Sequence, residues 1–407
     1  MTTGIIITLS VLLLFAYLFE ITTSKIKIPS VILLLALGFG VKLLSNSLEL
    51  EMIDLNPVLP ILGTVGLILI VLEGSLELEM DKTKMPFIIK TLAVSLLPIL
   101  IFSFSMAYYL HYYESVPFKA ALSNAVPIGV ISSAIAIPSA RNLLTKDKEF
   151  ITYESSLSDI FGVIIFNFIT LNERFDAKTF GVFGAELLLM LVISFIATLL
   201  LAGFLNKIKH HIKFVPIIIS VVLIYAISKE YHLPALIFIL LFGLFMSNID
   251  ELRHFKLIQK FHPVNFRRDV EKFREITTEF AFLIRASFFI LFGFLLETSN
   301  LLNSSTIVFA LCITAGIFLV RLIVLLIFKA PVNPLLFIAP RGLITILLFL
   351  SIPMTDQIKF INKSLITQII IISALVMMFG LMNYRKPSSA VEDNSPEDTE
   401  PQKEELP

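Results

Sequence analysis

Charged residues are scarce in this sequence, and their scarcity defines the class of protein. Only 16% of the 407 residues are charged, whereas 57% are hydrophobic and 37 are phenylalanines. A soluble protein of this length would be about half apolar or less. Apolar runs of about 18 residues or more recur along the whole chain, which is typical of membrane-spanning helices. A soluble fold is therefore excluded, and an all-α polytopic membrane protein is predicted.

Cysteines and metal-ligand patterns are also nearly absent. The single cysteine, Cys312, cannot form an internal disulfide. The six histidines are scattered, and His210 and His211 lie in a basic segment that indicates a solvated loop rather than a metal site. No G-x-G-x-x-G stretch is found, so no nucleotide-sensing domain and no cofactor are expected. The 32 basic and 32 acidic residues balance, and no nucleic-acid partner is expected.

The apolar runs divide into thirteen candidate transmembrane spans. They lie at 4–19, 28–44, 55–75, 87–110, 118–139, 152–171, 180–205, 214–228, 233–249, 277–296, 305–328, 333–352 and 365–382. The first is predicted to be a span rather than a signal peptide, because it lacks a basic N-terminal region and a small-residue cleavage site. We therefore predict one transmembrane domain over 1–383. Residues 384–407, rich in Pro, Glu and Ser, are expected to be a disordered acidic cytoplasmic tail.

The distribution of Lys and Arg predicts the orientation. With the N-terminus outside, the cytoplasmic segments hold 21 of these residues and the opposite segments hold 7. Cytoplasmic loops of membrane proteins carry such an excess. The chain is accordingly predicted to lie in the cell (inner) membrane with a cytoplasmic C-terminus. Its longest loop, 250–276, is basic and is expected to carry a short helix on the inner surface.

A short list of ionisable groups inside the candidate spans stands out, because each would cost about 2.5–3.5 kcal/mol if it faced lipid. They are Glu73, Glu154, Asp159, Arg285, Arg321 and Arg341. Glu154 and Arg321 lie within about a turn of a predicted helix end, so both are also compatible with interfacial snorkelling. Asp159 lies deeper, and its short side chain cannot reach the interface.

Asp159 is therefore the central candidate. One hypothesis is a structural carboxylate that hydrogen-bonds neighbouring helices. The other is a transport site, because a carboxylate in the membrane can hold either a proton or a small cation, and charge neutralisation makes the two mutually exclusive.

Two spans carry helix-breaking residues in corresponding positions of the two halves. The fifth contains "VPIGVISSAIAIPSAR" (126–141), and the twelfth contains "NPLLFIAPRGLITILLF" (333–349). Proline and glycine in mid-span free backbone carbonyls and interrupt the helix. Paired interruptions indicate inverted-topology repeats with a binding site near the membrane midplane, although each proline also has a simple packing explanation.

Five segments, in order, resemble the monovalent cation/proton antiporters, specifically the sodium/hydrogen exchanger branch. "YESSLSDIFGVIIF" (153–166) is similar to the family's "GESLLND-x-x-x-V-V-L-F" signature. "LIVLEGSLELEMDK" resembles "LLFEAGLxLD", "APRGLITILLFLSIP" resembles "GLRGAVxLAL", and "FFILFGFLLE" resembles "FFxxxGxxL". "KIPSVILLLALGFGV" resembles the family's second span. The resemblance covers residues 25–352, and thirteen spans is the number in many prokaryotic members.

The resemblance implies a function and a set of residue roles. The chain would exchange Na⁺, K⁺ or Li⁺ for H⁺ by alternating access, as a homodimer. Asp159 would bind the alkali cation or the proton, with oxygen ligands from Ser132, Ser133 and Ser158. Glu154 and Arg321 would form a core ion pair, and Arg341 would lie at the interruption of the twelfth span. The core would be built around 118–171 and 305–382, with the remaining spans as scaffold and Glu73 as a further intramembrane acid.

Two departures from the family pattern bear on the mechanism. The usual Asn before the aspartate is Ser158 here, and the usual Thr-Asp of the fifth span is Ser132-Ser133. With one acidic ligand left, one cation per proton and electroneutral exchange are expected. The alternatives are a potassium-efflux pathway and a non-transporting membrane sensor that retains the fold. A membrane enzyme is not expected, because Ser155, Ser156 and Ser158 have no intramembrane histidine nearby in the sequence.

Overall fold

The computed structural model describes residues 2–26, 28–48, 55–78, 84–173, 175–207, 213–231, 233–249, 263–297 and 303–384. Within these ranges every regular element is a helix. The fourteen helices are Thr2–Ile26 (α1), Ser30–Ser47 (α2), Val58–Glu77 (α3), Met85–Tyr113 (α4), Phe118–Gly129 (α5), Ser133–Ser139 (α6), Thr145–Leu171 (α7), Ala177–Lys207 (α8), Phe214–Glu230 (α9), Leu236–Ser247 (α10), Pro263–Leu295 (α11), Ser304–Ile327 (α12), Leu343–Leu350 (α13) and Lys363–Asn383 (α14).

The helices agree with the predicted membrane fold. By length and composition, nine helical stretches of the described chain are able to cross a membrane, and shorter apolar helices lie at Ile6–Thr22 and Leu236–Ser247. Because the fifth and twelfth predicted spans are each interrupted, each contributes two short segments instead of one long helix. The all-helical fold with paired interrupted helices is confirmed, while the exact number of thirteen spans stays a prediction.

The basic loop at 250–276 was predicted wrongly in its second half. Instead of a separate short helix, residues from Pro263 onward form the first turns of α11, which is 33 residues long. Val270 and Phe273 are buried on one face of this extension. Its Asp269 carboxylate lies 2.5 Å from Lys213 Nζ, just before α9. The extension is therefore an amphipathic continuation of the span, since its apolar face has neighbouring helices to pack against.

The helices pack in two groups. We call α4–α7 and α12–α14 the core group, and α1–α3 and α8–α11 the scaffold group. In the scaffold group α11 packs against α2 and α3, and α10 packs against α3 and α8. In the core group α4 packs against α5, α7 and α12, and α12 packs against α14. Contacts between the groups run mainly through α3, which touches α6, α7 and α13. We call this contact surface the seam.

The crossing of α2 and α11 explains two glycines. A Cβ on Gly38 would lie 2.0 Å from the carbonyl oxygen of Ile290, and a Cβ on Gly293 would lie 2.3 Å from that of Leu35. Real Cβ atoms do not approach backbone oxygens so closely. The two helices therefore meet backbone to backbone, as small residues allow in membrane interiors.

Several predicted features lie outside the described residues. They are the tail from residue 385 onward, the first half of the basic loop at 250–262, and His210 and His211.

Candidate ion-binding site

The fifth span is interrupted at its centre. Helix α5 ends at Gly129, and Val130 continues with φ −78° and ψ 134°. Ser132 is also extended, with φ −83° and ψ 113°, before α6 begins at Ser133. Pro127, in the last turn of α5, has no N–H to donate, which weakens the helix just before it ends. Three residues in mid-span are left with backbone groups free for other partners.

The twelfth span is interrupted in the same way and crosses the fifth at the break. Residues 333–337 form hydrogen-bonded turns rather than a helix, and α13 begins only at Leu343. Between them, the carbonyl oxygen of Pro340 accepts a hydrogen bond of 2.9 Å from the N–H of Ser132. At Gly342 a Cβ would lie 2.9 Å from Ser132 Oγ. The two extended segments are thus in backbone contact, and a side chain at 342 would separate them.

Arg341 lies at the break of the twelfth span and binds the break of the fifth. Its guanidinium donates to the carbonyl oxygens of Ile128 at 2.8 Å and Gly129 at 3.0 Å, and also to that of Ala339. These carbonyls belong to the last turn of α5 and to the crossing segment. A helix C-terminus carries partial negative charge, so a buried cation stabilises it. Arg341 is 2% exposed, and its guanidinium hydrogen-bonds to backbone carbonyls at the breaks rather than to a side-chain carboxylate.

Asp159 lies on α7 beside the start of α6. Its Oδ2 accepts from the backbone N–H of Ser133 at 3.3 Å and from the Ser133 hydroxyl. The side chain is 2% exposed, and its other oxygen, Oδ1, is buried with no hydrogen-bond partner among the described residues. Leaving a buried polar oxygen unpartnered costs about 1–3 kcal/mol, and more when the group is charged. Oδ1 is therefore the oxygen of Asp159 that a proton or a cation would satisfy.

The three predicted serine ligands lie around the same crossing but have different contacts. The hydroxyl of Ser158 accepts from the N–H of Ile131 at 2.9 Å, in the middle of the break. The hydroxyl of Ser133 donates to Asp159. Ser132 uses its backbone N–H to bind Pro340, and its hydroxyl lies against Gly342. Of the three, Ser133 is thus in contact with the carboxylate, and Ser158 binds the extended segment between α5 and α6.

Glu154 lies on the same helix as Asp159 and is fully paired. The guanidinium of Arg321 meets both of its oxygens, one at 2.9 Å, and also donates to the carbonyl oxygen of Leu335 at 3.0 and 2.7 Å. Glu154 and Arg321 are each 1% exposed, so neither reaches an interface as a snorkelling side chain would. The pair ties α7 to α12 and to the turns before the second break.

Glu73 and Arg285 form a second buried pair, in the scaffold group. Arg285 Nη1 lies 3.6 Å from Glu73 Oε2, between α11 and α3. One further intramembrane acid was missed by the sequence analysis. Glu186, in the apolar run "FGAELLLML" on α8, is half-buried and lines a cavity of about 300 Å³ with Asn167 and Asn172. Its position, the seventh residue of the predicted span 180–205, was the signal that could have identified it.

Within the described part of the chain, no group of three or more His, Cys, Asp or Glu residues is placed to hold a metal ion. A cation at Asp159 would therefore take its remaining ligands from hydroxyl and backbone oxygens. Such neutral oxygen ligands suit hard alkali cations.

A model of the family described as sodium/hydrogen exchanger, transmembrane, matches residues 10–382. The chain belongs to this family. The membership covers nearly all the helices, including both interrupted spans and α7. The family consists of transporters rather than enzymes, which is consistent with the prediction that this chain is not an enzyme.

Solved structures of a sodium proton antiporter have the same fold. The structure of MjNhaP1 from Methanocaldococcus jannaschii at pH 8 matches with a TM-score of 0.66 and 17% identity, over 94% of this chain and 96% of that one. A structure of the same antiporter from an electron-microscopy map matches with the same score and identity, over 94% and 95%. Comparison with curated protein sequences finds no significant match. At this identity the likeness establishes the fold of this exchanger family member and leaves its ion unassigned.

Proposed function

We propose that this family member exchanges one monovalent cation for one proton, with Asp159 as the shared binding group. Sodium is the first candidate, with potassium and lithium as alternatives. The ions are cargo, and no cofactor is proposed. Membership in an exchanger family supports the reaction class, and the residues around Asp159 support the site.

The observation that carries the proposal is the unpartnered Oδ1 of Asp159 at the crossing of the interrupted spans. A buried carboxylate oxygen without a donor is satisfied either by a proton on the carboxyl group or by a cation beside it. Because both neutralise the same charge, they compete. The Ser133 hydroxyl contacts the carboxylate, and the Ser158 hydroxyl lies against the N–H of Ile131 in the adjoining break, so these two are the proposed hydroxyl ligands.

The proposed ratio of one cation to one proton follows from the absence of the second acidic residue that is usual in the family. Ser133 stands where an aspartate is usual, so one carboxylate at the crossing is available for the cargo. If one charge is neutralised in each direction, exchange is electroneutral. Glu154 does not add a second exchangeable site, since Arg321 occupies both of its oxygens.

We propose alternating access as the transport step. The core group would move against the scaffold group with Asp159 neutralised by a cation or a proton. Moving the bare carboxylate through a dry seam would cost several kcal/mol, because burying an isolated charge is unfavourable. That cost suppresses uncoupled leak in either direction.

We further propose a homodimer in the cell membrane, with the N-terminus outside and the C-terminus cytoplasmic. The orientation rests on the excess of basic residues in the predicted cytoplasmic segments. The dimer rests on resemblance to the family. Native mass spectrometry of the protein in nanodiscs would report the oligomer, and protease access in oriented vesicles would report the side of the C-terminus.

The test of exchange is a dequenching assay in liposomes with an acidic interior. Addition of Na⁺, K⁺ or Li⁺ is expected to raise the internal pH when the protein is present. Asp159→Asn is expected to abolish the response to every ion. Glu186→Gln is a matched control, because it also neutralises an intramembrane acid, but on α8, where Glu186 faces Asn167 and Asn172 at the C-terminal end of α7 rather than Asp159.

Dequenching that persists in Asp159→Asn would overturn the assignment of the site. Absence of a response to any ion between about pH 6 and 9, with folded protein shown by gel filtration, would overturn the proposed function itself. Electroneutrality is tested in the same vesicles, since an imposed membrane potential should leave the rate unchanged.

A further inference from the structure

The seam between the two groups differs between the two ends of α3. Near the C-terminal end of this helix, a Cβ on Gly74 would lie 2.6 Å from Ser156 Oγ of α7, so scaffold and core are in tight contact. At the N-terminal end, Leu59 and Pro60 line a cavity of about 290 Å³ with core residues, among them Phe349 and Thr367. Gly74 and Leu59 are about 22 Å apart along the helix. The groups also meet beside this cavity, since a Cβ on Gly63 would lie 2.3 Å from Leu347 Cδ2. The contact of Gly74 with Ser156 closes the seam near the C-terminal end of α3, and we call this the closed end.

An ion pair crosses the seam at the closed end. Arg141, which follows α6 in the core group, places Nη1 2.8 Å from Oε1 of Glu20 on α1 in the scaffold group. The Glu20 side chain is 14% exposed and that of Arg141 is 48% exposed. Both lie within electrostatic range of Glu73, the residue before Gly74 in α3, so the pair is at the same end of the seam. At this end, the two groups are therefore in contact through the Glu20–Arg141 ion pair and through the packing of Ser156 against Gly74.

Two acids of α3 at this end are paired inside the scaffold group. Glu73 faces Arg285 at 3.6 Å, and Glu77 faces Arg274 at 4.0 Å, both across α3 and α11. Glu20 differs from these two, because its cationic partner comes from the other group. When the core group moves, Glu73 and Glu77 keep their partners, whereas Glu20 and Arg141 must separate.

We propose that Arg141 is the gating residue at this end of the seam and that its bond to Glu20 holds the exchanger in the closed arrangement seen here. The inference rests on the proposed function as an alternating-access antiporter. While the seam is closed, the guanidinium of Arg141 is held beside the acidic residues at this end and neutralises part of their charge. Opening removes the guanidinium and leaves Glu20 to attract an incoming cation from the adjacent solution.

The size of the effect follows from the exposure of the pair. Ion pairs of this exposure are worth about two- to fivefold in an equilibrium constant. Removing the pair is therefore expected to raise the open population about two- to fivefold, without unfolding the protein. Transport would persist, and the balance between the two access states would change.

The experiment measures access to the closed contact directly. Ser156→Cys in a Cys312→Ser background is labelled with a membrane-impermeant thiol reagent, in right-side-out and in inside-out vesicles, with no ion gradient. From the side on which Arg141 lies, Glu20→Gln and Arg141→Gln are each expected to raise the labelling rate about two- to fivefold. The exchanged pair Glu20→Arg with Arg141→Glu is expected to restore the parent rate.

The matched control is Glu77→Gln. It removes an ion pair with a similarly exposed arginine at the same end, 52% against 48%, but that pair lies within the scaffold group. Its labelling rate is expected to equal that of the parent. A rate unchanged by Glu20→Gln and Arg141→Gln, or raised equally by Glu77→Gln, would overturn the proposal.

A second reporter protects against a Ser156→Cys variant that does not fold. Ile137 of α6 also packs against Gly74, since its Cδ1 would lie 3.6 Å from a Cβ there. With Ile137→Cys as the labelled residue, Glu20→Gln and Arg141→Gln are again expected to raise the labelling rate, and Glu77→Gln to leave it unchanged. Because labelling needs no transport, an exchanger that proved inactive in liposomes would still decide whether Arg141 gates the seam.

Discussion

Two carboxylates lie five residues apart on α7, both buried, with opposite surroundings. Glu154 has a guanidinium on both oxygens, and that guanidinium is held in turn by the carbonyl of Leu335. Asp159 has Ser133 on one oxygen and nothing on the other. The same helix therefore carries one charge that is fully satisfied by the protein and one that is left for a ligand.

The difference separates structural from transporting acids more clearly than burial does. Glu154 is 1% exposed and Asp159 is 2% exposed, so depth does not distinguish them. What distinguishes them is the number of donors in place. A paired buried charge fixes the arrangement of helices, whereas an unpaired one requires a proton or a cation. Four substitutions would test how far this contrast extends.

The largest effect is expected for Asp159→Asn. The amide cannot exchange a charge, so the rate of cation-driven dequenching should fall at least about a hundredfold. The free energy of unfolding in detergent should stay within about 1 kcal/mol of that of the parent protein or increase. The reason is that an uncompensated buried charge has been removed. A large loss of stability would show that Asp159 is a structural acid like Glu154.

For Glu154→Gln the expected loss is of stability. Arg321 would be left as a buried charge without its counter-ion, which costs about 3–5 kcal/mol. The transition in detergent should move to clearly lower temperature. The double variant Glu154→Gln with Arg321→Gln is the control, and it should recover part of the loss because no charge remains. A double variant less stable than Glu154→Gln would contradict this account.

Glu73→Gln is expected to have a smaller effect on stability. Its contact with Arg285 is a single approach at 3.6 Å, compared with the bidentate contact of Glu154. We expect a loss of about 1–3 kcal/mol, measured by the same thermal unfolding. A loss of stability equal to that of Glu154→Gln would show that the contact geometry of the two buried pairs does not determine their contributions to stability.

The smallest effect is expected for Ser133→Ala. Asp159 would keep the backbone N–H of residue 133 and lose one hydroxyl, which corresponds to about a threefold to tenfold change in binding. The concentration of cation giving half-maximal dequenching should rise by that factor while exchange persists. Ser132→Ala is the matched control, since the Ser132 hydroxyl lies against Gly342. Equal changes in both variants would argue against a direct role for Ser133.

Much of the fold could be predicted because the membrane constrains it strongly. Backbone groups in lipid must be satisfied within the chain, so long apolar runs must be helices. The few charges inside those runs are conspicuous for the same reason, and Asp159, Glu154 and Arg341 were identified by it. Mid-span prolines and glycines likewise predicted the two breaks.

The sequence failed where the answer depended on neighbours distant in the chain. The helix from Pro263 was expected as a short separate helix in a loop rather than as part of the span, because its charged face is visible in the sequence and its packing against other helices is not. Glu20 and Arg141 are ordinary charges near span ends, and their contact across the seam depends on how two groups of helices meet.

By itself, the sequence determined that this chain is a membrane protein, where its helices break and which acids are exceptional, since hydropathy and backbone chemistry are local properties. Only the tertiary structure decided which acid is satisfied. Whether Arg321 reaches Glu154, 167 positions away, and whether any donor reaches Oδ1 of Asp159, depends on the packing of several helices. The different surroundings of Glu154 and Asp159 are a property of that packing and cannot be read from any single segment.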